Sequence, residues 1–114
     1  MEDCIFCKIA SGEIKSYIIY EDDKMIFFND LNPTAPIHFL AVPKKHIRSL
    51  NELEKEDLNL IGEILFKIKE YAEKEGFAEN GYRVVNNCGE DGLQSIKHIH
   101  FHVLAGKKLA WPAG

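Results

Sequence analysis

The chain has 114 residues, of which 46% are hydrophobic and 28% charged, as is typical of one domain with a single core spanning residues 1–114. Its formal net charge of −4 argues against nucleic-acid or acidic-membrane partners, because both need a basic surface that neutralises many phosphates. No apolar run is long enough for a membrane span, and Met1-Glu2-Asp3 is unlike the start of a signal peptide, so we expect a cytoplasmic protein.

The N-terminal segment carries two of the three cysteines, Cys4 and Cys7. Residues 3–9 can form about two helical turns before Ser11-Gly12 ends them, and a spacing of three puts both thiols on one face. An odd number of cysteines does not make a disulfide framework. A thioredoxin-type redox pair follows a buried strand, which residues 1–3 cannot form, so the pair favours zinc over redox chemistry. Two thiols without a metal remain the alternative.

The next segments favour strands. Residues 17–20 and 25–28 are rich in β-forming side chains and are separated by four charged residues, which predicts an antiparallel hairpin. Two prolines in residues 30–36 predict an ordered loop. Residues 38–42 predict a third strand that Pro43 ends. The basic cluster at residues 44–48 follows, and such a cluster is commonly a solvated turn.

The hydrophobic period becomes helical after residue 51. Apolar residues at intervals of three and four predict one long amphipathic helix that ends near Glu75 and is closed by Gly76. Asn51 and Glu54 fit the cap of this helix or of a short turn before it. Gly62 costs about 1 kcal/mol relative to alanine inside a helix, which predicts a closely packed strand or partner helix beside it. The apolar positions are Leu58, Ile61, Leu65, Ile68 and Ala72.

Residues 82–86 predict a fourth strand, and a glycine-containing loop leads from it to a fifth. In that fifth strand three of the chain's five histidines, His98, His100 and His102, alternate with apolar residues. Alternate residues of a strand point to one face, so three imidazoles are expected there, roughly 6 to 7 Å apart. The sequence therefore predicts an α+β fold with a mainly antiparallel five-stranded sheet, one long helix and one short helix. Trp111 in the tail needs burial, against its own subunit or another.

Three interpretations of these histidines compete. Strict alternation argues against histidines without a role. Imidazole is a common zinc ligand, which makes a tri-histidine metal site plausible. The third interpretation is nucleophilic catalysis on phosphorus, since an imidazole with a pKa of about 6.5 is largely neutral at cytoplasmic pH. The preceding loop favours a phosphate over a metal, because it offers amide, hydroxyl and glycine groups that suit phosphate oxygens. These residues are Asn87, Gly89, Gly92, Gln94 and Ser95.

The segment from His98 to Leu104 resembles the His-φ-His-φ-His-φ-φ signature of the histidine triad (HIT) superfamily, where φ is apolar. Nearly the whole chain, from Asp3 to Gly114, is similar to the Hint branch, the histidine triad nucleotide-binding proteins. The resemblance implies a HIT-like sheet that pairs with a second copy into a ten-stranded sheet, in a homodimer. The further matching stretches are Asn29-Asp30, Pro36-Ile37-His38, Pro43-Lys44-Lys45-His46-Ile47, Asn87, Gly89, Gly92-Leu93-Gln94-Ser95 and Trp111-Pro112.

The same resemblance implies an activity. Hint-like enzymes are hydrolases that split the P–N bond of purine nucleoside 5′-phosphoramidates, such as adenylated amines, and release AMP. By this resemblance His100 attacks the α-phosphate and forms a nucleotidyl-histidine that water resolves. His102 is implied to hydrogen-bond the phosphate oxygens, and His38 to belong to the imidazole network that orients and polarises the nucleophile.

The resemblance also assigns a nucleotide pocket. Ser95 and Asn87 match positions that contact the phosphate or the leaving group. Asp30 matches the carboxylate that binds the ribose hydroxyls. The implied apolar walls of the purine pocket are Ile5, Phe6, Ile9, Phe28 and Leu31.

A structural zinc is implied by the zinc-bearing relatives, with no organic cofactor. In those relatives two N-terminal cysteines join a histidine of the Lys-x-His-Ile segment and the first triad histidine. The corresponding residues here are Cys4, Cys7, His46 and His98. Two thiolates and two imidazoles close a tetrahedral site with no open position, so such a metal is structural and removes His98 from the chemistry.

Other functions remain open from sequence. Within the superfamily, dinucleoside polyphosphate hydrolysis and nucleotidyl transfer use related sites. A non-catalytic nucleotide-binding module and a catalytic tri-histidine metalloenzyme are alternatives of different classes. The joint presence of His38, Ser95, His100 and His102 argues against lost catalysis.

Overall fold

Seven helices and strands make up the fold over residues 3–112, the part of the chain that the computed structural model describes. In chain order they are α1 (Ile5–Ala10), β1 (Ile18–Glu21), β2 (Met25–Asn29), β3 (Ile37–Pro43), α2 (Leu58–Glu75), β4 (Arg83–Val85) and β5 (Phe101–Ala105). Two 3-10 turns, Leu50–Glu52 and Lys55–Asp57, precede α2. The predicted α+β class is confirmed. Neither helix in this range combines the length and hydropathy that crossing a membrane requires.

The strands form one antiparallel sheet in the order β1-β2-β3-β5-β4. The predicted hairpin is present, and Asp22 closes its turn by accepting backbone N–H bonds from Lys24 and Met25 at 2.8 and 2.9 Å. The last strand in sequence, β5, lies between β3 and β4. Its register places His102 opposite Leu40. The pairing of β3 with β5 therefore brings the predicted catalytic histidines together from distant parts of the chain.

Each face of the sheet has its own apolar core. Alternate residues of β2 point to opposite faces, so Phe27 packs below α2 whereas Phe28 packs against α1. The α2 side buries Ile64 and Ile68 of the helix. On the other side, α1 buries Phe6. Because both faces of β2 and β3 are covered, both strands read as nearly continuous apolar runs in the sequence.

Helix α2 ends where predicted and buries the predicted Ile68 and Ala72, but its third buried residue is Ile64. Gly76 closes it in the left-handed region, with φ of 85°. Ile64 is fully buried, whereas Leu58 and Leu65, which were assigned to the core face, are 66% and 44% exposed. A Cβ atom added at Gly62 would have no atom of the described chain within 4 Å. The expectation of a closely packed strand beside Gly62 is therefore wrong.

The segment before α2 is capped differently from the prediction. Ser49 caps the first 3-10 turn, since its Oγ accepts a hydrogen bond from the backbone N–H of Asn51 at 3.1 Å. The side chain of Asp57 then accepts from the backbone N–H of Glu54 at 2.9 Å and from the ammonium group of Lys45. Asn51 therefore caps neither the turn nor the helix.

Strand β5 is shorter than the predicted histidine strand. It begins at Phe101, so His102 is the one triad histidine within the ladder. Two contacts hold the preceding segment in its place: the N–H of Ile99 donates to the Ile47 carbonyl at 2.7 Å, and Asn86 Nδ2 donates to the His100 carbonyl at 2.9 Å. The expectation of three equivalent imidazoles on one strand face is wrong.

The C-terminal tail is tied to the edge strand β4. Arg83 Nη2 donates to the Ala110 carbonyl at 2.8 Å. Trp111, which follows, is 83% exposed. Burial of this indole against its own subunit is therefore wrong, and burial against a second subunit remains a prediction.

Candidate functional site

A pocket of about 300 Å³ opens between α1, the loop after β2 and the triad histidines. All five predicted purine-wall residues line it, together with Asp30, Ser95, His100 and His102. The pocket thus joins apolar walls at one end to imidazole and hydroxyl groups at the other. Its lining also includes residues that were not predicted to belong to the site: Ser16, Asn29, Asn32, Leu40 and Ile96.

The buried His100 has a fixed ring orientation. Its Nδ1 lies 2.8 Å from the backbone carbonyl of His98, and a carbonyl can only accept, so Nδ1 carries the proton. The other nitrogen, Nε2, is then left with its lone pair. Burial lowers the pKa of His100, which favours the neutral ring. The phenyl ring of Phe6 packs against this imidazole with its centroid 5.0 Å away. His100 therefore presents a neutral, nucleophilic nitrogen.

Two further imidazoles, His38 and His102, are linked by a hydrogen bond of 2.9 Å from His38 Nε2 to His102 Nδ1. The direction follows from the backbone N–H of Thr34, which donates to His38 Nδ1 at 3.1 Å. Since that nitrogen accepts, neutral His38 carries its proton on Nε2 and donates it to His102. His102 in turn has its proton on Nε2, where it can be donated to a ligand.

Asp30 contacts this imidazole pair. One carboxylate oxygen accepts the backbone N–H of Asn32 at 2.8 Å, and the other lies 3.4 Å from His38 Nε2 and 3.9 Å from His102 Nδ1. A cation could be held by these three side chains on distance alone. The hydrogen bond between the two imidazoles already uses the nitrogens that a cation needs, so the arrangement favours proton chemistry.

A second cluster is formed by Cys4, Cys7, His46 and the first triad histidine, His98. Its possible ligand atoms all lie within 4.8 Å of one another. The contacts from sulfur to Nδ1 are 3.2 Å between Cys4 and His98 and 3.3 Å between Cys7 and His46. Tetrahedral zinc bonds of about 2.3 Å to sulfur and about 2.0 Å to nitrogen place such atoms roughly 3.5 Å apart. The spacing and the donor set fit a closed four-ligand metal site.

His98 is oriented toward this cluster by the chain itself. Its Nε2 lies 2.8 Å from the Pro43 carbonyl, so this nitrogen carries the proton and Nδ1 offers its lone pair to the cluster. Burial lowers the pKa of His98 to about 4, and burial together with the neighbouring Cys4 raises the pKa of Cys7 to about 11. Without a cation these two groups are neutral, and a bound cation must displace the Cys7 thiol proton.

Comparison with known proteins identifies the family. The family model described as "Scavenger mRNA decapping enzyme C-term binding" matches residues 3–110. A histidine triad protein from Clostridium difficile is 53% identical in sequence and superimposes with a TM-score of 0.94, over 96% of either chain. The chain belongs to this family, within the histidine triad (HIT) superfamily.

Two further HIT structures are similar over nearly the whole chain. A HIT family hydrolase from Legionella pneumophila is 44% identical, with a TM-score of 0.96 over 98% of this chain and all (100%) of that one. A histidine triad nucleotide-binding protein from Candida albicans is 33% identical, with a TM-score of 0.81 over 98% of this chain and 85% of that one. The chain therefore has the fold of HIT hydrolases and nucleotide-binding proteins.

The loop before the HIT motif is braced by its own side chains. Asn87 does not line the pocket, because its Nδ2 donates to the Gly92 carbonyl at 2.7 Å. Gly92 has no room for a side chain: a Cβ there meets the Cys88 carbonyl oxygen. The buried Gln94 accepts the N–H of Gly89 at 3.0 Å. These contacts fix the backbone that carries Ser95 into the pocket.

His38 also lies outside the pocket lining, behind His102. The sequence could not identify Thr34 as the partner of His38, because the donor is a backbone N–H, which every residue but proline has. The carbonyls of Pro43 and His98, which accept from His98 and His100, are backbone groups too and have no sequence signature.

The hydrogen bonds predict which nitrogen of each imidazole carries the proton. At neutral pH, long-range 1H–15N correlation spectra should show His100 protonated on Nδ1 and His102 on Nε2, because a carbonyl accepts from the first and an N–H of His38 donates to the second. Assignment by single His→Gln variants identifies the signals. A His100 ring protonated on Nε2 would contradict the orientation described.

Proposed function

We propose that this HIT protein hydrolyses purine nucleoside 5′-phosphoramidates to a nucleoside monophosphate, AMP for adenosine substrates, and an amine. The reaction proceeds through a nucleotidyl-histidine on His100. The observation that carries the proposal is the hydrogen bond from His100 Nδ1 to the His98 carbonyl, which leaves Nε2 as a nucleophile at the pocket. The resemblance to nucleotide-binding relatives supports the same substrate class.

In the first step His100 Nε2 attacks the α-phosphorus. The new N–P bond forms as the P–N bond to the amine breaks. The leaving nitrogen keeps the electron pair and takes up a proton from solvent, which the attacking water of the second step gives back. Protonation matters because a neutral amine leaves far more easily than an amide anion. Ser95 lines the pocket and is the hydroxyl available near the leaving group.

In the second step water attacks the phosphorus of the nucleotidyl-histidine. The bond from phosphorus to His100 breaks, Nε2 regains its lone pair, and the nucleoside monophosphate is released, so one water is consumed per turnover. Both transition states carry extra negative charge on the equatorial oxygens. His102 donates from Nε2 to these oxygens, and the hydrogen bond from His38 Nε2, beside the Asp30 carboxylate, keeps the His102 ring in that orientation.

The rest of the pocket suits a nucleoside. Flat apolar walls that include Phe6 and Phe28 provide a slot for a purine ring, which gains by stacking and burial. Asp30 keeps lone pairs for ribose hydroxyls besides its contacts to the imidazoles. Asn87 acts on the phosphate through the loop that it braces.

Turnover of a fluorogenic adenosine 5′-phosphoramidate tests this proposal. We expect the intact protein to release amine and AMP, and His100→Ala to lose at least about 10³-fold in kcat/KM because the covalent route is removed. Cys88→Ser, a change at a loop residue outside the pocket lining, is the matched control and should retain activity. Absence of turnover, or equal rates for His100→Ala, would refute the proposal.

We also propose that the Cys4-Cys7-His46-His98 cluster holds a structural zinc. Four protein ligands leave no coordination position for substrate, so the ion's contribution is to hold α1 and His98 in place. Both histidines face the cluster through Nδ1. Thiolate ligands need a reducing compartment, which agrees with the cytoplasmic location expected from the sequence.

Elemental analysis of metal-replete protein should find about one zinc per chain. The Cys4→Ser/Cys7→Ser variant should lose it, because a serine hydroxyl does not replace a thiolate ligand, and should melt at lower temperature. Cys88→Ser serves as the control that keeps the metal. Zinc undiminished in the double variant would contradict the assignment.

A homodimer that joins two β4 edges is the third part of the proposal. Strand β4 is one of the two edges of the sheet, with unpaired backbone groups and a Val84 side chain that is 38% exposed. Pairing of two such edges extends the sheet to ten strands and covers apolar surface. That surface includes Trp111 and the exposed Leu58 and Leu65 of α2, and Gly62 leaves room for a partner helix.

Light scattering at micromolar concentration should report twice the 13.0 kDa of one chain. Val84→Asp should shift the protein toward monomer, because it places a charge on the edge that pairs. Tyr17→Asp is the control: Tyr17 is also exposed, at 71%, but it directly precedes β1, the edge strand opposite β4. A monomeric intact protein would rule out this interface.

A further inference from the structure

A second cavity, of about 670 Å³, adjoins the nucleotide pocket. It shares Ile5, Ser95 and Ile96 with that pocket, so the two spaces meet at these three residues. We call it the cationic cleft. Its lining is Asp3, Cys4, Ile5, His46, Arg48, Ser95, Ile96 and Lys97.

The cleft carries more positive than negative charge in a chain whose formal net charge is −4. Arg48 and Lys97 are both exposed, and Asp3 is the one carboxylate in the lining. Within residues 3–112 neither cation forms an ion pair, although lysines elsewhere on the surface do. Lys97 Nζ donates to the Gln94 carbonyl at 2.8 Å, which leaves two of its three N–H donors for a ligand.

The backbone segments that bear the two cations are fastened together. The buried amide of Gln94 donates from Nε2 to the Arg48 carbonyl at 2.7 Å and to the Ile96 carbonyl at 3.0 Å. The N–H of Ile99 donates to the Ile47 carbonyl at 2.7 Å in the same region. Gln94, which directly precedes Ser95, therefore holds the segments of Arg48 and Lys97 on a common rim of the cleft.

We propose that the cationic cleft binds an anionic group carried by the leaving group of the substrate. The inference rests on the proposed function and narrows its substrate class to nucleoside phosphoramidates whose amine bears a carboxylate or a phosphate. With the α-phosphate at His100 and His102, a leaving group next to Ser95 extends toward Arg48 and Lys97. A guanidinium group and an ammonium group are the side chains that bind such anions best.

Three adenosine 5′-phosphoramidates with leaving amines of equal length test the cleft. Their amines end in a carboxylate, a phosphate monoester or a neutral carboxamide. We expect kcat/KM for at least one anionic substrate to exceed that of the carboxamide by about tenfold at low ionic strength, and less at high salt, because the cations are exposed. The ratio should fall to about one in Arg48→Gln/Lys97→Gln. Lys107→Gln, a change of an exposed lysine outside the cleft, should keep the ratio of the intact protein.

The possible outcomes test the cleft and the proposed reaction separately. Preference for one anionic end identifies that chemistry, and preference for both supports a general anion cleft. Equal rates for the three compounds, or a preference that survives in the double variant, would overturn the inference. If none is cleaved, the proposed function fails. Calorimetric binding to His100→Ala then decides the cleft: tighter binding of an anionic compound that depends on Arg48 and Lys97 supports it, and equal binding overturns it.

Discussion

The contacts of His98 orient both the Cys4-Cys7-His46-His98 cluster and the His100 ring. Its side chain donates from Nε2 to the Pro43 carbonyl and turns Nδ1 toward Cys4 and Cys7, while its backbone carbonyl accepts from Nδ1 of His100. One buried residue thus contacts both cysteines of the cluster and fixes which nitrogen of His100 keeps its lone pair.

The late start of β5 makes this arrangement possible. In a regular antiparallel ladder the carbonyl of His98 could be taken by a neighbouring strand. Because the ladder begins only at Phe101, that carbonyl is available to the His100 ring, and the carbonyl of His100 is held by Asn86 instead. Local departure from strand geometry is thus what distinguishes three histidines that the sequence presents as equivalent.

Much of the architecture was predictable because it follows from periodicity and composition. The hairpin, the third strand and the end of α2 at Gly76 all have local signals. In α2, Ile68 and Ala72 are buried as predicted, whereas Leu58 and Leu65 are exposed. Both pairs fit the helical period, and periodicity alone does not show which apolar positions stay exposed.

Some residues of the candidate site were also predictable from the sequence, and others were not. The resemblance named the apolar walls, Asp30 and Ser95, and the structure gathers them in one pocket. Backbone partners such as the Thr34 N–H and the Pro43 carbonyl have no sequence signature, and the cationic cleft depends on a Gln94 amide that joins two distant segments. Such contacts become visible only when the chain is folded.

In the proposed reaction His100, and no other imidazole, forms the covalent intermediate. To test this, the protein is mixed with an adenosine phosphoramidate and the reaction is stopped within one turnover in alkali, where a phosphohistidine bond survives. Mass spectrometry of the peptides should then find an added nucleotidyl group on His100. A nucleotidyl group on His98 or His102, or product formed in a single turnover with no modified histidine, would contradict it.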